Sequence, residues 1–260
     1  MKISIVTVCY NSESTIMDTI NSFASQSHVS KEHLVIDGES TDATSKIIHE
    51  NMSNIAYFIS ETDEGLYSAM NKGIQKATGD IIGILNSDDF FHNQDVLTEV
   101  ARTFEESPKV DIVCGGVELV HPSDLQSPLR AYSPSYFKPW MIRFGIMPPH
   151  PAVFIRKSAY NRVGGYKQKY SIAADFDMLT RLIILENVDY TLIDSILVRM
   201  RTGGLSNSGL RSLILGTKEI CASLRENGIY SNFLMVLVRM PFKFITQTVK
   251  ISSLFGKHPR

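Results

Sequence analysis

The sequence predicts an α/β fold with a mixed, largely parallel sheet flanked by helices, and three observations lead to it. Strand-like and helix-like segments alternate from the first residues onward. The strand-like runs, such as 3–8 and 81–85, are nearly continuous in apolar and β-branched residues, the pattern of strands buried on both faces. The first four of them stop in polar, hydroxyl-rich or acidic stretches. Parallel strands joined by crossover helices put those stretches on one edge of the sheet, where open α/β sheets hold their ligands.

Taken in order, 3–8 is the first strand, and Ser12 or Ser14 caps a helix over about 14–25. A short strand, 33–36, ends in Asp37-Gly38-Glu39-Ser40-Thr41-Asp42 and is followed by a helix near 43–50. A third strand, 55–59, ends in Ser60-Glu61-Thr62-Asp63-Glu64-Gly65 and leads to a helix over 66–77. The run that begins at Gly79 breaks at Asn86-Ser87-Asp88-Asp89, leaving hard oxygen donors suited to Mg²⁺ or Mn²⁺ at a strand's carboxyl end. A polar turn capping a helix from Asn93 to about 105 explains that loop equally well by itself. Four such loops in succession on one edge favour a ligand site.

In the second half, 110–113 and 117–120 read as two strands, and the Pro- and Ser-rich 121–139 as a loop or lid. Pro148-Pro149-His150-Pro151 precedes a strand at 152–155, and Gly164-Gly165-Tyr166 closes a short helix. Ala173-Ala174-Asp175-Phe176-Asp177-Met178 opens an amphipathic helix on which Asp175 and Asp177 point about 200° apart, so one is functional and the other a first-turn charge. Two strands near 190–200 lead to Arg199, Arg201 and Thr202-Gly203-Gly204-Leu205-Ser206, whose guanidinium and backbone N–H groups suit a diphosphate as well as a solvated turn.

Thr7-Val8-Cys9-Tyr10-Asn11-Ser12, Val35-Ile36-Asp37-Gly38-Glu39-Ser40-Thr41-Asp42, Asn71-Lys72-Gly73 and Leu85-Asn86-Ser87-Asp88-Asp89, in this order and spacing, resemble the donor half of family 2 glycosyltransferases. The resemblance implies a GT-A fold, a nucleotide-activated sugar and inversion at the anomeric carbon. It places Thr7, Tyr10 and Asn11 around the base, with Asp37 accepting from it, and Asp63 and Asn71 beside the ribose or base. An ionised Asp only accepts hydrogen bonds, which suits the uracil N–H and makes a UDP-sugar the expected donor. In the family's Asp-x-Asp motif this chain has Asn86, Ser87 and Asp88, so Asp88 is the expected metal ligand and the site carries one negative charge fewer. Asp175 matches the family's general base, and a histidine placed like His150 lies near the active centre of similar enzymes. Arg201, by the same likeness, belongs to a loop near the diphosphate.

The expected activity is therefore hexosyl transfer to a hydroxyl of a polyprenyl-diphosphate-linked glycan, in bacterial O-antigen or capsule synthesis on the cytoplasmic face of the inner membrane. Two other readings stand beside it: a catalytically silent nucleotide-sugar-binding scaffold, allowed by Asn86, and a sugar-nucleotide pyrophosphorylase, disfavoured because Tyr10-Asn11-Ser12-Glu13 is neither Gly-rich nor basic. A net charge of −1 gives no general attraction to nucleic acid. Cys9, Cys114 and Cys221 are widely spaced, which favours a reduced compartment over disulfides or zinc. The opening apolar run is cut short by Asn11-Ser12-Glu13 and reads as a strand, not a leader, and no stretch reaches the roughly twenty apolar residues of a membrane span. Residues 1–208 are the expected catalytic domain, with a donor half to 120, and 209–260 a helical extension. Beyond Glu226 there is no acidic residue, and Phe233, Arg239, Phe242, Lys243, Phe244, Ile245, Lys250 and Leu254 interleave apolar and basic groups, as a helix on an anionic membrane does. A helix packed on the domain with its basic face in water is the alternative.

Overall fold

The computed structural model describes residues 1–203 and 209–242. Its centre is the strand β1 (Ile3–Cys9), every residue of which is buried. Such a strand needs apolar cover on both sides, and alternate residues supply it: Val6 and Val8 face one cluster, Ile3 and Ile5 the other. Around β1 lie β2 (Lys31–Asp37), β3 (Tyr57–Ser60) and β4 (Ile81–Ile84), all parallel. The crossovers are α1 (Ile16–Ala24), α2 (Thr44–Glu50) and α3 (Leu66–Lys76). Gly73 is in α3 because of packing: a Cβ there would collide with Val6 of β1. The expected alternation and the common edge of four strand ends are present.

The second half makes the sheet mixed. Its elements are β5 (Asp89–Phe91), α4 (Val96–Glu106), β6 (Ile112–His121), β7 (Asp124–Tyr132), β8 (Val153–Arg156), α5 (Lys157–Val163), α6 (Ala174–Thr180), β9 (Tyr190–Arg201), α7 (Leu210–Glu226) and α8 (Phe233–Leu237). Strand order is β3-β2-β1-β4-β8-β6-β9-β5, with β7 on β6. β8 runs antiparallel to β4 and β6, while β6 and β9 are parallel.

Four expectations change here. The strands expected at 110–113 and 117–120 are one strand, β6, which continues through Gly115 and Gly116 because Leu197 and Ile196 of β9 fill the space where their Cβ atoms would be. The stretch 121–139 is not wholly irregular, since β7 pairs with β6. β7 is exposed along most of its length, so no apolar alternation marks it, and Pro128 sits at a register shift where a missing N–H is tolerated. The two strands near 190–200 are the single β9, and Asp89 to Phe91, read as part of a loop, forms the short strand β5 on β9.

Helices α1 and α4 cover one sheet face, with Phe23, Val100 and Phe104. The other face is covered by α3, α5 and α6, and also by α7 and α8, because Ile220, Leu224 and Val236 join the same cluster as Phe176 and Leu179. The extension therefore packs on the domain as far as residue 242, and Lys243, Phe244, Ile245, Lys250 and Leu254 lie outside the described residues.

Candidate active site

The parallel register sets Cys9, Asp37 and Ser60 level at the ends of β1, β2 and β3. The Asp37 carboxylate is fully buried and already accepts from Ser40 N at 3.1 Å, Ser40 Oγ, Ser60 Oγ at 2.6 Å and Cys9 Sγ at 3.5 Å. It organises the rim rather than offering a free acceptor. Thr7 is likewise committed inward, with Oγ1 2.9 Å from His33 Nε2 and no exposure. Burial pushes His33 down to about 3, so that imidazole is neutral.

Tyr10, Asn11 and Asp63 are what the rim presents. Tyr10 is 62% exposed, and Asn11, with positive φ, accepts from Thr41 N at 2.9 Å while its own N–H donates to Ser40 Oγ. Asp63 pairs through Oδ1 with Lys72, and its Oδ2 is buried with no hydrogen-bond partner. Between them lies Gly38, where a Cβ would touch both the Tyr10 ring and Asp63 Oδ2. Tyr10 and Asp63 thus flank Gly38, and Asp63 Oδ2 is an unused acceptor there.

The loop after β4 is held from behind. Thr19 Oγ1 on α1 lies 2.7 Å from Asp89 O, and Ser87 Oγ meets Ser12 Oγ at 2.8 Å. Arg201 donates to Asp88 O at 2.6 Å and to Asp18, and its guanidinium stacks on Phe90. Expected at the diphosphate, Arg201 is instead a buried strut for the loop, its donors taken by Asp88 and Asp18. With the backbone fixed, Asn86 Nδ2 donates to Asp89 Oδ2 at 3.3 Å, leaving Asn86 Oδ1 buried and unpartnered. Burial raises Asp88 above its ordinary value, against the pull of Arg201. Burial also raises the Asp89 pKa well above its ordinary value, with the Asp88 charge adding to the effect. Among the described residues no cluster of three or more His, Cys, Asp or Glu could hold a metal ion. An amide oxygen and a carboxylate suit a hard cation that takes its remaining ligands from phosphate and water.

The third part of the site surrounds α6. Asp175 is the one residue of that helix not buried, contrary to the amphipathic face expected there. Its Oδ1 accepts from Phe176 N at 2.7 Å and lies 3.4 Å from Tyr67 Oη, in the first turn of α3. Tyr67 and Asn71 share one face of α3 by their i, i+4 spacing, and both reach this segment. Asn71, expected beside the ribose or base, has its amide engaged with Tyr166 N and O at 2.7 and 2.8 Å. Tyr166 Oη in turn meets His150 Nε2 at 2.8 Å. Burial lowers the His150 pKa, Asp175 opposes it, and the imidazole stands beside the carboxylate as a neutral group. The structure thus brings His150, Tyr67 and Asp175 together.

Asp177, expected as a first-turn charge, is a fully buried hub. It binds Arg181 Nε at 2.7 Å, Lys167 at 3.0 Å, Ser223 Oγ at 2.9 Å and Asn227 at 3.1 Å. Burial alone would raise its pKa, but these donors hold it below the ordinary value. Glu219 of α7 accepts from Ser171, Ile172 and Ala173 N–H at 2.8, 2.8 and 2.9 Å, fixing the turn before Asp175. Contacts so distant in sequence leave no local motif. Asp177→Ala is expected to cost about 3–5 kcal/mol, because Arg181 is left buried without its charge partner. Urea unfolding measures it, and a loss under about 1 kcal/mol contradicts the hub.

The fold is that of nucleotide-sugar transferases of the GT-A class, and solved structures agree with that class. Staphylococcus aureus TarS residues 1–349 in complex with UDP-GlcNAc superposes with a TM-score of 0.65 at 19% identity, covering 86% of this chain and 66% of that one. Against the longer TarS chain the match spans 40% of its length. The mannosyltransferase PcManGT from Pyrobaculum calidifontis, in complex with GDP-Man and Mn²⁺, gives 0.64 at 14% identity, over all of this chain and 76% of that one. The sequence profile of Glycosyl transferase family 2 matches residues 4–162, and the chain belongs to that family. It is 28% identical over 217 residues to an uncharacterised glycosyltransferase of Mycobacterium tuberculosis, covering 82% of this chain and 80% of that one. It is also 28% identical over 181 residues to a PGL/p-HBAD biosynthesis glycosyltransferase of Mycobacterium bovis, with 68% of each covered.

Proposed function

We propose that this glycosyltransferase moves a sugar from a UDP-sugar to a hydroxyl of a lipid-linked glycan during bacterial surface polysaccharide synthesis, with inversion and with Mg²⁺ or Mn²⁺. The observation that carries the reading is a pair of carboxylates, Asp88 in the loop after β4 at the carboxyl edge of the parallel strands and Asp175 at the start of α6, 3.4 Å from Tyr67 Oη of α3. The slot between Tyr10 and Asp63 accepts the base: the exposed ring stacks on it and Asp63 Oδ2 accepts the uracil N–H. This role moves from Asp37, whose lone pairs are occupied, to its neighbour. The UDP-GlcNAc bound by TarS supports the donor class.

Asp175 takes the proton of the acceptor hydroxyl as that oxygen attacks the sugar C1, and the Phe176 N–H keeps the carboxylate aimed, with the Tyr67 hydroxyl, which donates to Ile172 O at 2.7 Å, beside it. Asp88 and Asn86 Oδ1 would hold the cation, which when bound would offset the charge growing on the departing diphosphate. A single displacement of this kind needs no covalent intermediate on the protein. The acceptor, carried on polyprenyl diphosphate, is met at the cytoplasmic face of the inner membrane.

Incubation with a panel of UDP-sugars, Mn²⁺ and a lipid-linked acceptor pool tests this, with NMR of the product's anomeric proton. UDP release with inverted configuration is expected, and retained configuration contradicts the role of Asp175. A pH effect follows from Asp88. Because burial raises its pKa above the ordinary value, the folded protein takes up this proton at a higher pH than the unfolded chain does, a step that favours the folded state and competes with the cation. Mn²⁺-dependent UDP affinity is expected to fall on acidification from neutral pH, more steeply than in Asp88→Asn. Identical pH profiles for the two proteins contradict it.

A further inference from the structure

α7 has two working faces. Glu219, Ser223 and Asn227, spaced i, i+4, i+8, grip the turn and helix that carry Asp175. Lys218, Cys221 and Arg225, spaced i, i+3, i+7, line a hollow of about 750 Å³ on the outer side, closed by Tyr230 and Phe233. A second hollow, of about 380 Å³, is lined by Trp140, Arg143 and Ile184. The two share Gly228, Ile229 and Tyr230, and Ser231 Oγ donates to Arg143 O at 2.6 Å, so they form one continuous surface.

That surface combines exposed apolar groups with unpaired cations. Tyr230 is 76% exposed, Leu234 75% and Trp140 61%, an unusual display of large apolar side chains for a water-facing patch. Arg143, Lys218 and Arg225 are exposed, and none has an ion-pair partner among the described residues. The neighbouring carboxylate, Glu226, is taken by Lys167 and Lys169. Aromatic and aliphatic groups ringed by cations without carboxylates match the boundary of an anionic bilayer, where aromatics sit at headgroup level and each Lys or Arg adds attraction.

We propose that this surface, centred on Trp140, Tyr230 and Leu234 and flanked by Arg143, Lys218 and Arg225, docks on an anionic lipid bilayer and sets α7 between membrane and catalytic turn. It deepens the proposed function, because a lipid-linked acceptor then arrives one helix diameter, about 10 Å, from the segment that Glu219 positions. It also places part of the membrane contact on the catalytic half, through Trp140 and Arg143, rather than on the C-terminal segment alone.

Trp140 is the chain's single tryptophan, so it reports on the surface without labelling. The full-length protein is titrated with vesicles of phosphatidylcholine mixed with phosphatidylglycerol, and with vesicles of phosphatidylcholine alone. The expected result is a blue shift of Trp140 emission and co-sedimentation with the mixed vesicles, both much weaker with the neutral ones. The double variant Arg143→Gln with Arg225→Gln is expected to bind the mixed vesicles about thirtyfold less tightly at low salt, each cation contributing about 1 kcal/mol. Co-sedimentation with unshifted emission assigns binding to residues 243–260 and overturns the proposal, as does failure to sediment. A shift that develops with protein concentration in the absence of lipid assigns the surface to a second copy of the chain and overturns it too. UDP titration of the same preparation separates the two ideas, since loss of vesicle binding with intact UDP binding leaves the donor site standing.

Discussion

Asp175→Asn is expected to reduce sugar transfer by at least about a hundredfold while leaving UDP affinity within about twofold of the unaltered protein, the lower range for a lost general base. The split follows from the geometry. Asp175 contacts Phe176 N and Tyr67 and none of the residues that form the base slot or the loop after β4. An amide at that position still accepts from the Phe176 N–H, so the turn keeps its shape, and only the capacity to take a proton is lost. Steady-state transfer and calorimetric UDP titration on one preparation measure the two quantities. Parallel loss of both assigns Asp175 to donor binding, and retention of transfer removes it from the chemistry.

Asp88→Ala is the second large effect. The loop's backbone is held by Thr19 and Arg201 through carbonyl oxygens, so removal of the Asp88 side chain leaves that scaffold intact. What disappears is the charged oxygen proposed to hold the cation, which leaves Asn86 Oδ1 as the remaining proposed ligand of the loop. A charged contact of this kind contributes about 1.5–3 kcal/mol. The Mn²⁺-dependent part of UDP affinity is expected to fall by about ten- to hundredfold, with affinity in chelator unchanged. Equal affinity of the variant and the unaltered protein in Mn²⁺ takes Asp88 out of the metal site. Fully lost affinity in chelator as well means that the loop itself has collapsed.

The donor half was readable because its signals are local. Each of β1 to β4 is an apolar run punctuated by a polar loop, and parallel pairing then forces the loops to one edge. Residue types at the loop ends showed which oxygens the rim contains, but not which remain unused. Asp37 and Asp63 are both carboxylates at strand ends, and only the three-dimensional placement of Ser40 and Ser60 shows that one is occupied. Arg201 likewise had the right chemistry for a diphosphate and is instead claimed by Asp18 and the Asp88 carbonyl.

The second half was less legible for two physical reasons. β7 is an exposed edge strand without alternation, and β6 and β9 pass through positions where polarity suggested breaks. The supports of Asp175 come from Glu219, Ser223 and Asn227, more than forty residues along the chain, where nothing in the local pattern separates a clamp from an ordinary helical residue. Tyr67 also went unread, although its i, i+4 relation to Asn71 puts both on one face of α3.

The central claim is that the rim binds a nucleoside diphosphate together with a divalent cation, and calorimetric titration of the protein with UDP, GDP and dTDP, each in Mn²⁺ and in chelator, tests it most directly. Binding of UDP that is strengthened by Mn²⁺ and exceeds that of GDP is the predicted result, since the proposal has Asp63 Oδ2, which lacks a partner, accept the uracil N–H and Asp88 hold the cation. Absence of binding by any of the three, or affinities indifferent to Mn²⁺, contradicts it.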